Sequence, residues 1–358
     1  MPKILIAPLD WGLGHATRCI PIIRCFEQEG WEVTLAADGY CAKILRSAFP
    51  NLPLLMLPGY HIRYGVKNLP IQILAQIPAI YAKIRFENRW LKDQMHQNKW
   101  DVILSDNRPG LHHPKALNIY MTHQVHIESG LGIMANYTAS AIHQQLIKKF
   151  DALWIPDVEK NNTLAGKLSR SSLKKTATAY IGLLSRLEKT ETKSSLYNLL
   201  FLLSGPEPQR TMLEKQLLSQ IDEKCGKTLL IRGTELPIAA NQAVPENIEV
   251  INLADSKTVN QKIQESEYVI CRSGYTTLMD LMKLNKKALL IPTPNQGEQE
   301  YLAAFANNHN FFPFISQKQV DIVTALKKMQ QFPYAFPFTQ QDFQQHQQII
   351  RNLKNKIC

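Results

Sequence analysis

The sequence has no pair of cysteines at Cys-x-x-Cys spacing, no Asp-x-Asp triplet, no apolar run of membrane-spanning length and no third glycine in its N-terminal glycine turn. Each absence removes a class of protein. The six cysteines (Cys19, Cys25, Cys41, Cys225, Cys271 and Cys358) are scattered without metal-ligand spacing, which predicts free thiols in a reducing compartment and no zinc site. The best apolar run, Leu69 to Ile84, is broken by Pro70, Gln72, Gln76 and Pro78, so no spanning helix is expected. Ile4 to Ala7 is too short for the apolar core of a secretory leader, and a cytoplasmic protein is expected. In Gly12-Leu13-Gly14-His15 the place of the third glycine is taken by Thr17, which argues against a dinucleotide fingerprint and a nicotinamide enzyme.

What is present reads as an α/β protein. The 358 residues, 45% hydrophobic and 20% charged, are enough for two ordinary cores. Lys3 to Pro8 reads as a buried strand, Leu9 to His15 as a loop, and the stretch from Ala16 to Gly30 as a helix before a second strand, Trp31 to Ala37. The polar segment Ser185 to Ser195 lacks apolar periodicity and marks the domain break. Beyond it, Leu199 to Leu203 opens a second sheet whose first loop is Ser204-Gly205-Pro206-Glu207-Pro208-Gln209-Arg210. The expected domains are therefore 1–185 and 196–335, with 336–358 as a tail. That tail has Phe343, His346, Ile349, Ile350 and Leu353 at helical spacing and is expected to pack, the first domain being one place for it.

The densest chemistry lies at Cys271-Arg272-Ser273-Gly274-Tyr275-Thr276-Thr277. An apolar strand, Tyr268 to Ile270, runs there into a glycine turn and then a helix carrying Asp280. A helix start offers unpaired N–H groups and the positive end of a dipole, Gly274 permits close backbone approach, and Ser273, Thr276 and Thr277 add hydroxyls. This layout suits a phosphorylated ligand, with Asp280 within reach of a ribose; the plain alternative is a Ser/Thr-capped turn. Downstream, the strand Ala288 to Ile291 ends in Pro292-Thr293-Pro294-Asn295-Gln296-Gly297-Glu298-Gln299-Glu300, read as a loop before a helix from Tyr301. Two loops leaving one edge of a parallel sheet converge on one crevice.

With these residues in view, the chain resembles the family 28 glycosyltransferases of the GT-B fold, among them the lipid II-forming N-acetylglucosaminyltransferases. The resemblance implies two Rossmann-like doubly wound domains with an interdomain cleft. It implies that Ser273, Gly274, Thr276 and Thr277 hold the donor's diphosphate and Asp280 its ribose, that Glu298, Gln299 and Glu300 face the donor sugar, and that Ser204 and Gly205 face the phosphates. Arg232 and Arg272 are expected to stabilise the departing diphosphate. Asp280 stands where that enzyme has Glu, and Glu300 replaces a second Gln, which leaves the donor sugar open between N-acetylglucosamine and others.

The Gly12-Leu13-Gly14-His15 turn, continuing to Arg18, is similar to the acceptor-side loop of the same superfamily and to that of a GT-B hydrolase that cleaves nucleotide from an amino sugar. His15 at a helix start is expected to have its pKa lowered by the dipole and to serve as a neutral general base; otherwise it is a plain capping residue. Asp106, after the strand Val102 to Leu104, is expected to orient His15 or act as base itself. Asn107, Arg108, His123 and Gln124 are expected on the acceptor side. His112, His113, His123 and His126 fall in two loops without metal-binding context, so no metal is expected.

The formal charge of +11 needs an outlet. Tyr60 to Lys92 mixes apolar residues with Arg63, Lys67, Lys83, Arg85, Arg89 and Lys92, which suits either a packed helix with a basic face or an anionic membrane surface. Nucleic acid is not expected, since aromatics and basic residues are not interleaved. The functional expectation is a metal-independent, inverting transfer of a sugar from a nucleotide donor, uridine diphosphate-linked, to a hydroxyl acceptor. No cofactor is expected beyond the nucleotide-sugar co-substrate. The alternatives are a hydrolase or epimerase on the same donors, or a binding module without turnover.

Overall fold

The computed structural model describes residues 1–10, 12–60, 76–159, 163–171, 173, 176–190, 195–222, 225–238 and 244–357. Those within Met1–Arg63, Pro70–Arg186 and Thr339–Cys358 form one compact unit, and those within Leu187–Phe338 form another.

The first unit runs β1 (Lys3–Pro8), α1 (Leu13–Gln28), β2 (Glu32–Ala37), α2 (Gly39–Ala48), β3 (Leu54–Met56), α3 (Ile77–Asn98), β4 (Val102–Asp106), β5 (Leu117–Met121), α4 (Ile133–Ile147), β6 (Ala152–Ile155) and β7 (Ala177–Tyr180). Its strands form a sheet in the order β3-β2-β1-β4-β5-β6-β7. Every pairing is parallel, with Ile4 opposite both Val33 and Val102. Strands of a parallel sheet are covered on both faces, so they need unbroken apolar sequence. Ile4-Leu5-Ile6-Ala7 and Val102-Ile103-Leu104 supply it and are fully buried. On one side, Leu91, Met95 and Trp100 join Leu5 and Ile103 in a single cluster.

The second unit runs β8 (Tyr197–Leu202), α5 (Gln209–Leu218), β9 (Thr228–Ile231), β10 (Ile248–Ile251), α6 (Ser256–Gln264), β11 (Ser266–Cys271), α7 (Tyr275–Lys283), β12 (Ala288–Leu290), α8 (Gly297–Asn308) and α9 (Ile322–Gln331). Its parallel sheet has the order β10-β9-β8-β11-β12. Phe201, Leu203, Leu213, Leu217, Ile270 and Leu289 belong to its core. Both sheets wind outward from their first strand and then reverse. The reversal falls between β1 and β4 in one and between β8 and β11 in the other, and beyond the carboxyl ends at such points is where doubly wound sheets bind ligands.

A final helix, α10 (Gln345–Ile357), follows a 3-10 turn over Gln340–Phe343 and belongs to the first unit. It packs on α1, and its His346, Ile350 and Leu353 are buried. Arg351 donates to Glu29 at 2.7 Å and Lys354 to the Glu29 carbonyl. The chain reaches this helix beside Gly182, where Leu183 N–H donates to the Asp342 carbonyl at 2.8 Å. Gly182 has φ +78°, and a Cβ there would collide with that same carbonyl oxygen. Gly182→Ala should therefore lose at least about 1–3 kcal/mol from the backbone alone. All five tryptophans (Trp11, Trp31, Trp90, Trp100 and Trp154) precede Arg186, so fluorescence-monitored urea unfolding reads the first unit. The midpoint should drop, and an unchanged midpoint would remove Gly182 as the seat of this crossing.

Candidate active site

At the reversal point of the first unit, α1 begins at Leu13, earlier than its sequence pattern suggested. The N-cap Gly12 has φ +81°, which the glycine permits, and a Cβ there would meet nothing within 4 Å. His15 thus sits inside the first turn, and Arg18 follows one turn later on the same face. The neighbouring strand β4 ends at Asp106, whose side chain is fully buried. His15 Nδ1 lies 3.0 Å from Asp106 Oδ2. Arg18 grips the same carboxylate with two nitrogens, Nε to Oδ2 at 3.0 Å and Nη2 to Oδ1. Its Nη1 lies 3.1 Å from His123 Nδ1, on the segment leaving β5. His15, Asp106 and His123 are therefore brought together, and His15 keeps 14% of its side-chain surface exposed.

The electrostatics follow from burial. Burial lowers the His15 pKa, the adjacent Arg18 charge lowers it further, and Asp106 opposes both. Burial and the arginine thus favour the neutral ring. Asp106 is pushed up by burial and pulled down by Arg18 and His15, ending near about 2. An ionised carboxylate 3.0 Å from Nδ1 is met by a proton there, so Nε2 of His15 carries the lone pair. A histidine with one nitrogen tied to a carboxylate and the other a free base site is the arrangement general-base chemistry uses.

The other residues expected on the acceptor side lie in different surroundings. Asn107 is half-buried with φ +57°, its N–H bonded to the Met121 carbonyl. Gly14 and Gln124 are half-buried at the same sheet edge. Arg108 requires correction. It is fully buried, donates to Glu87 at 2.7 Å and spends its other nitrogens on the carbonyls of Pro8, Leu57 and Pro58. It braces three strand ends instead of meeting an acceptor. His112 stacks edge-on against Phe150, away from any cluster of ligands; among the described residues no three His, Cys, Asp or Glu side chains gather as a metal site would need.

In the second unit, α7 starts at Gly274 with φ −70° and no side-chain cap. A Cβ at Gly274 would have Thr277 Oγ1, at 3.9 Å, as its nearest neighbour. Neither backbone nor packing demands glycine here, so its small size leaves the helix start open to a ligand. Thr276 and Thr277 are half-buried in that first turn, and Asp280, in the second turn, is 8% exposed. From the end of β8, Ser204 and exposed Gly205 join this edge; Gly205 has φ +107° with open space before it.

Several donor-side expectations change. Ser273 is fully buried and donates its hydroxyl to the Gln299 carbonyl at 2.8 Å, so it ties α7 to α8. Helix α8 starts at Gly297, which puts Glu298, Gln299 and Glu300 in its first turn instead of a loop. Gln299 is buried and accepts from Thr293 N–H at 2.9 Å, while Glu300 accepts from Asn295 N–H at 2.9 Å. Glu298 is half-buried. Arg272, 1% exposed, donates to the carbonyls of Ile291, Pro292 and Gln209. Arg232, 2% exposed, pairs with Glu214 at 2.8 Å and donates to Leu236 and Asn252. Both guanidiniums are inside the fold, where burial and carbonyls compete with any phosphate.

Sequence reading missed the role of Arg18, although it was visible at the end of the Gly-x-Gly-His-x-x-Arg run. It also passed over Gln209, Thr293 and Gln296, whose Oε1, Oγ1 and Oε1 atoms are buried without a hydrogen-bond partner, as is Arg272 Nε. A cavity of about 280 Å³ lies nearby in the same unit, lined by Arg210, Thr211, Glu214, Arg232, Leu236 and Pro237 among others.

Residues 208–353 match the glycosyltransferase family 28 C-terminal domain. The chain is 23% identical over 337 residues to an uncharacterised glycosyltransferase of Methanosarcina acetivorans, covering 88% of this chain and 86% of that one. Among solved structures, the glycosyltransferase of kitacinnamycin superposes with a TM-score of 0.70 at 13% identity, covering 100% of both chains. MurG of Acinetobacter baumannii does so with a TM-score of 0.52 at 13% identity, covering 99% of this chain and 98% of that one. The fold is GT-B. Residues 208–353 resemble a family 28 C-terminal domain, and the chain is a glycosyltransferase.

Proposed function

We propose that the protein transfers a sugar from a uridine diphosphate-linked donor, N-acetylglucosamine being the first candidate, to an acceptor hydroxyl with inversion. The observation that carries this reading is the His15–Asp106 pair at the reversal point of the first sheet, 3.0 Å apart. His15 Nε2 takes the hydroxyl proton as the acceptor oxygen attacks the anomeric carbon, and Asp106 stabilises the imidazolium that forms. The leaving diphosphate is received by the open helix start at Gly274, with Thr276 and Thr277 adding hydroxyl donors. Asp280 takes the ribose, and Gln299 and Glu300 border the sugar. The buried arginines Arg232 and Arg272 shape this edge without being the primary phosphate ligands. No metal or cofactor takes part in this scheme, and the chain has no Asp-x-Asp triplet to hold one.

A thermal-shift panel of nucleotide sugars tests the donor, since a bound donor raises stability by mass action. Calorimetry should then show Asp280→Ala weakening nucleotide affinity by about 1.5–3 kcal/mol, the loss of a charge-assisted hydrogen bond, with the fold unchanged. Equal affinity in the two proteins would take Asp280 out of the site. Donor consumption without any acceptor would move the assignment to a nucleotide-sugar hydrolase, and binding with no turnover against any acceptor would make it a binding module.

We further infer that the acceptor is lipid-linked and that the protein docks peripherally on the inner face of the cell membrane. Of the basic and apolar stretch 60–92, residues 61–75 lie outside those described. The remainder is α3, which leaves Ile77 50% and Tyr81 60% exposed beside exposed Arg85 and Arg89. Among the described residues no helix is long and apolar enough to cross a membrane. Co-sedimentation with anionic vesicles should occur and weaken with salt, each basic side chain near the surface contributing about 1 kcal/mol. Replacing Lys83, Arg85 and Arg89 by Gln should release the protein while leaving nucleotide binding unchanged. Equal binding to neutral and anionic vesicles, or to neither, would defeat this reading.

A further inference from the structure

The His15–Asp106 pair does not explain why an arginine is sealed beside it. Arg18 is 2% exposed, and its three guanidinium nitrogens each have a partner at the site: Nε and Nη2 on Asp106, Nη2 also 2.8 Å from His15 Nδ1, and Nη1 at His123 Nδ1. We propose that Arg18 is the positioning residue of this site: by gripping Asp106 it holds the carboxylate that sets the His15 tautomer, and by donating to Nδ1 of His123 it sets the opposite tautomer there. This deepens the glycosyltransferase reading and rests on it for the purpose it assigns, though not for the geometry.

The argument runs through hydrogen-bond capacity. A guanidinium only donates, so the nitrogen it meets on His123 must be an acceptor, which leaves the proton of neutral His123 on Nε2. For His15 the choice lies between two neighbours of Nδ1, the carboxylate at 3.0 Å and Arg18 Nη2 at 2.8 Å. The carboxylate decides it, because a lone pair facing an anion is repelled while an N–H there makes a charge-assisted bond. The Arg18 contact at Nδ1 is then a close approach of like partial charges, and it opposes a second proton on the ring. The result is a site with an acceptor nitrogen on His15 and a donor nitrogen on His123, held by one side chain. The acceptor nitrogen of His15 suits a substrate hydroxyl that is to be deprotonated.

The groups facing the dyad are few. Arg18 and Cys19 come from α1, Asp106 from β4, Tyr120 from β5, His123 from the segment beyond β5, and Cys41 from α2, with Asp10 beside Cys41. Cys19 Sγ lies 3.7 Å from Asp106 Oδ2, and burial pushes both thiols and the Tyr120 hydroxyl up, so these groups stay neutral. Arg18 is the cation of the set, and the state of His15 responds to it.

Long-range ¹H–¹⁵N NMR of the ring-labelled full chain reads both tautomers without any substrate. The expected result is Nδ1–H on His15 and Nε2–H on His123, with Arg18→Met moving the His15 titration midpoint upward by a unit or more. Arg18→Lys keeps the charge without the fork. It should leave that midpoint within about half a unit of wild type, lose the fixed His123 tautomer and lower kcat without raising the donor KM. If Arg18→Met does not fold, the wild-type tautomers and Arg18→Lys decide the matter alone. An Nε2–H tautomer on His15, or an unchanged His123 tautomer in Arg18→Lys, would overturn the proposal and leave the glycosyltransferase assignment standing. Correct tautomers in a protein that turns over no donor would instead count against the assignment and leave the role of Arg18 standing.

Discussion

A carboxylate and a guanidinium buried together at the carboxyl end of a parallel sheet constrain much of what surrounds them. Asp106 is fully shielded from water and Arg18 nearly so. Neither charge is tolerable there alone, because removing one partner of a buried pair leaves an uncompensated ion, typically at about 3–5 kcal/mol. The first turn of α1 is therefore tied to the end of β4, and the imidazole of His15 is carried into register with the carboxylate. A second buried pair, Arg108 with Glu87, braces the same edge: Glu87 also accepts from Gly110 N–H at 3.1 Å and from Tyr60 at 2.9 Å. Burial pushes Glu87 up, and Arg108 opposes that rise. The loops at the ends of β1, β3 and β4 are thus held by side-chain charge.

The second unit uses the same winding to another end. Its reversal point offers the first turn of α7, opened by a glycine that the fold itself does not require, and two threonines. The charges nearby are turned inward: Glu214 lies between Arg210 and Arg232, and Arg272 is spent on carbonyls. Burial lowers Arg272 to about 10, still well above neutral pH. A helix start holds an anion with fixed dipoles that need no reorganisation, whereas a base needs a protonation state set by neighbouring charge. One topology thus provides a backbone-lined edge suited to phosphate in one unit and a charge-tuned imidazole in the other.

The strands were legible because parallel strands must be apolar on both faces. Runs such as Ile4-Leu5-Ile6-Ala7 and Val102-Ile103-Leu104 have few other readings. The places of Asp106 and Gly274 at strand ends were legible because they follow such runs closely. What was not legible was the direction of long side chains. Arg108, Arg232 and Arg272 sit at strand ends just where ligand-binding arginines would, and only packing decides whether a guanidinium turns outward or finds carbonyls within. Helix starts were misplaced for a related reason: Leu13-Gly14-His15 and Gly297-Glu298-Gln299 look like loop sequence, yet tertiary contacts such as the Gln299 bond to Thr293 draw them into the first turn. Arg18 was hidden by its burial, since an isolated arginine in a helix reads as solvated until its carboxylate partner, 88 residues away, is placed beside it.

The central claim is that His15 acts as a neutral base on an acceptor bound for sugar transfer. It is tested most directly by following steady-state transfer against pH in wild type and His15→Ala, with donor affinity measured on both. The account predicts that donor affinity is retained and that kcat falls by about 10²–10⁴. It also predicts that wild-type activity falls as pH drops through a His15 pKa lying below its usual value, and that this fall is absent from the variant. A His15→Ala enzyme with unchanged kcat and an unchanged acid limb would contradict it.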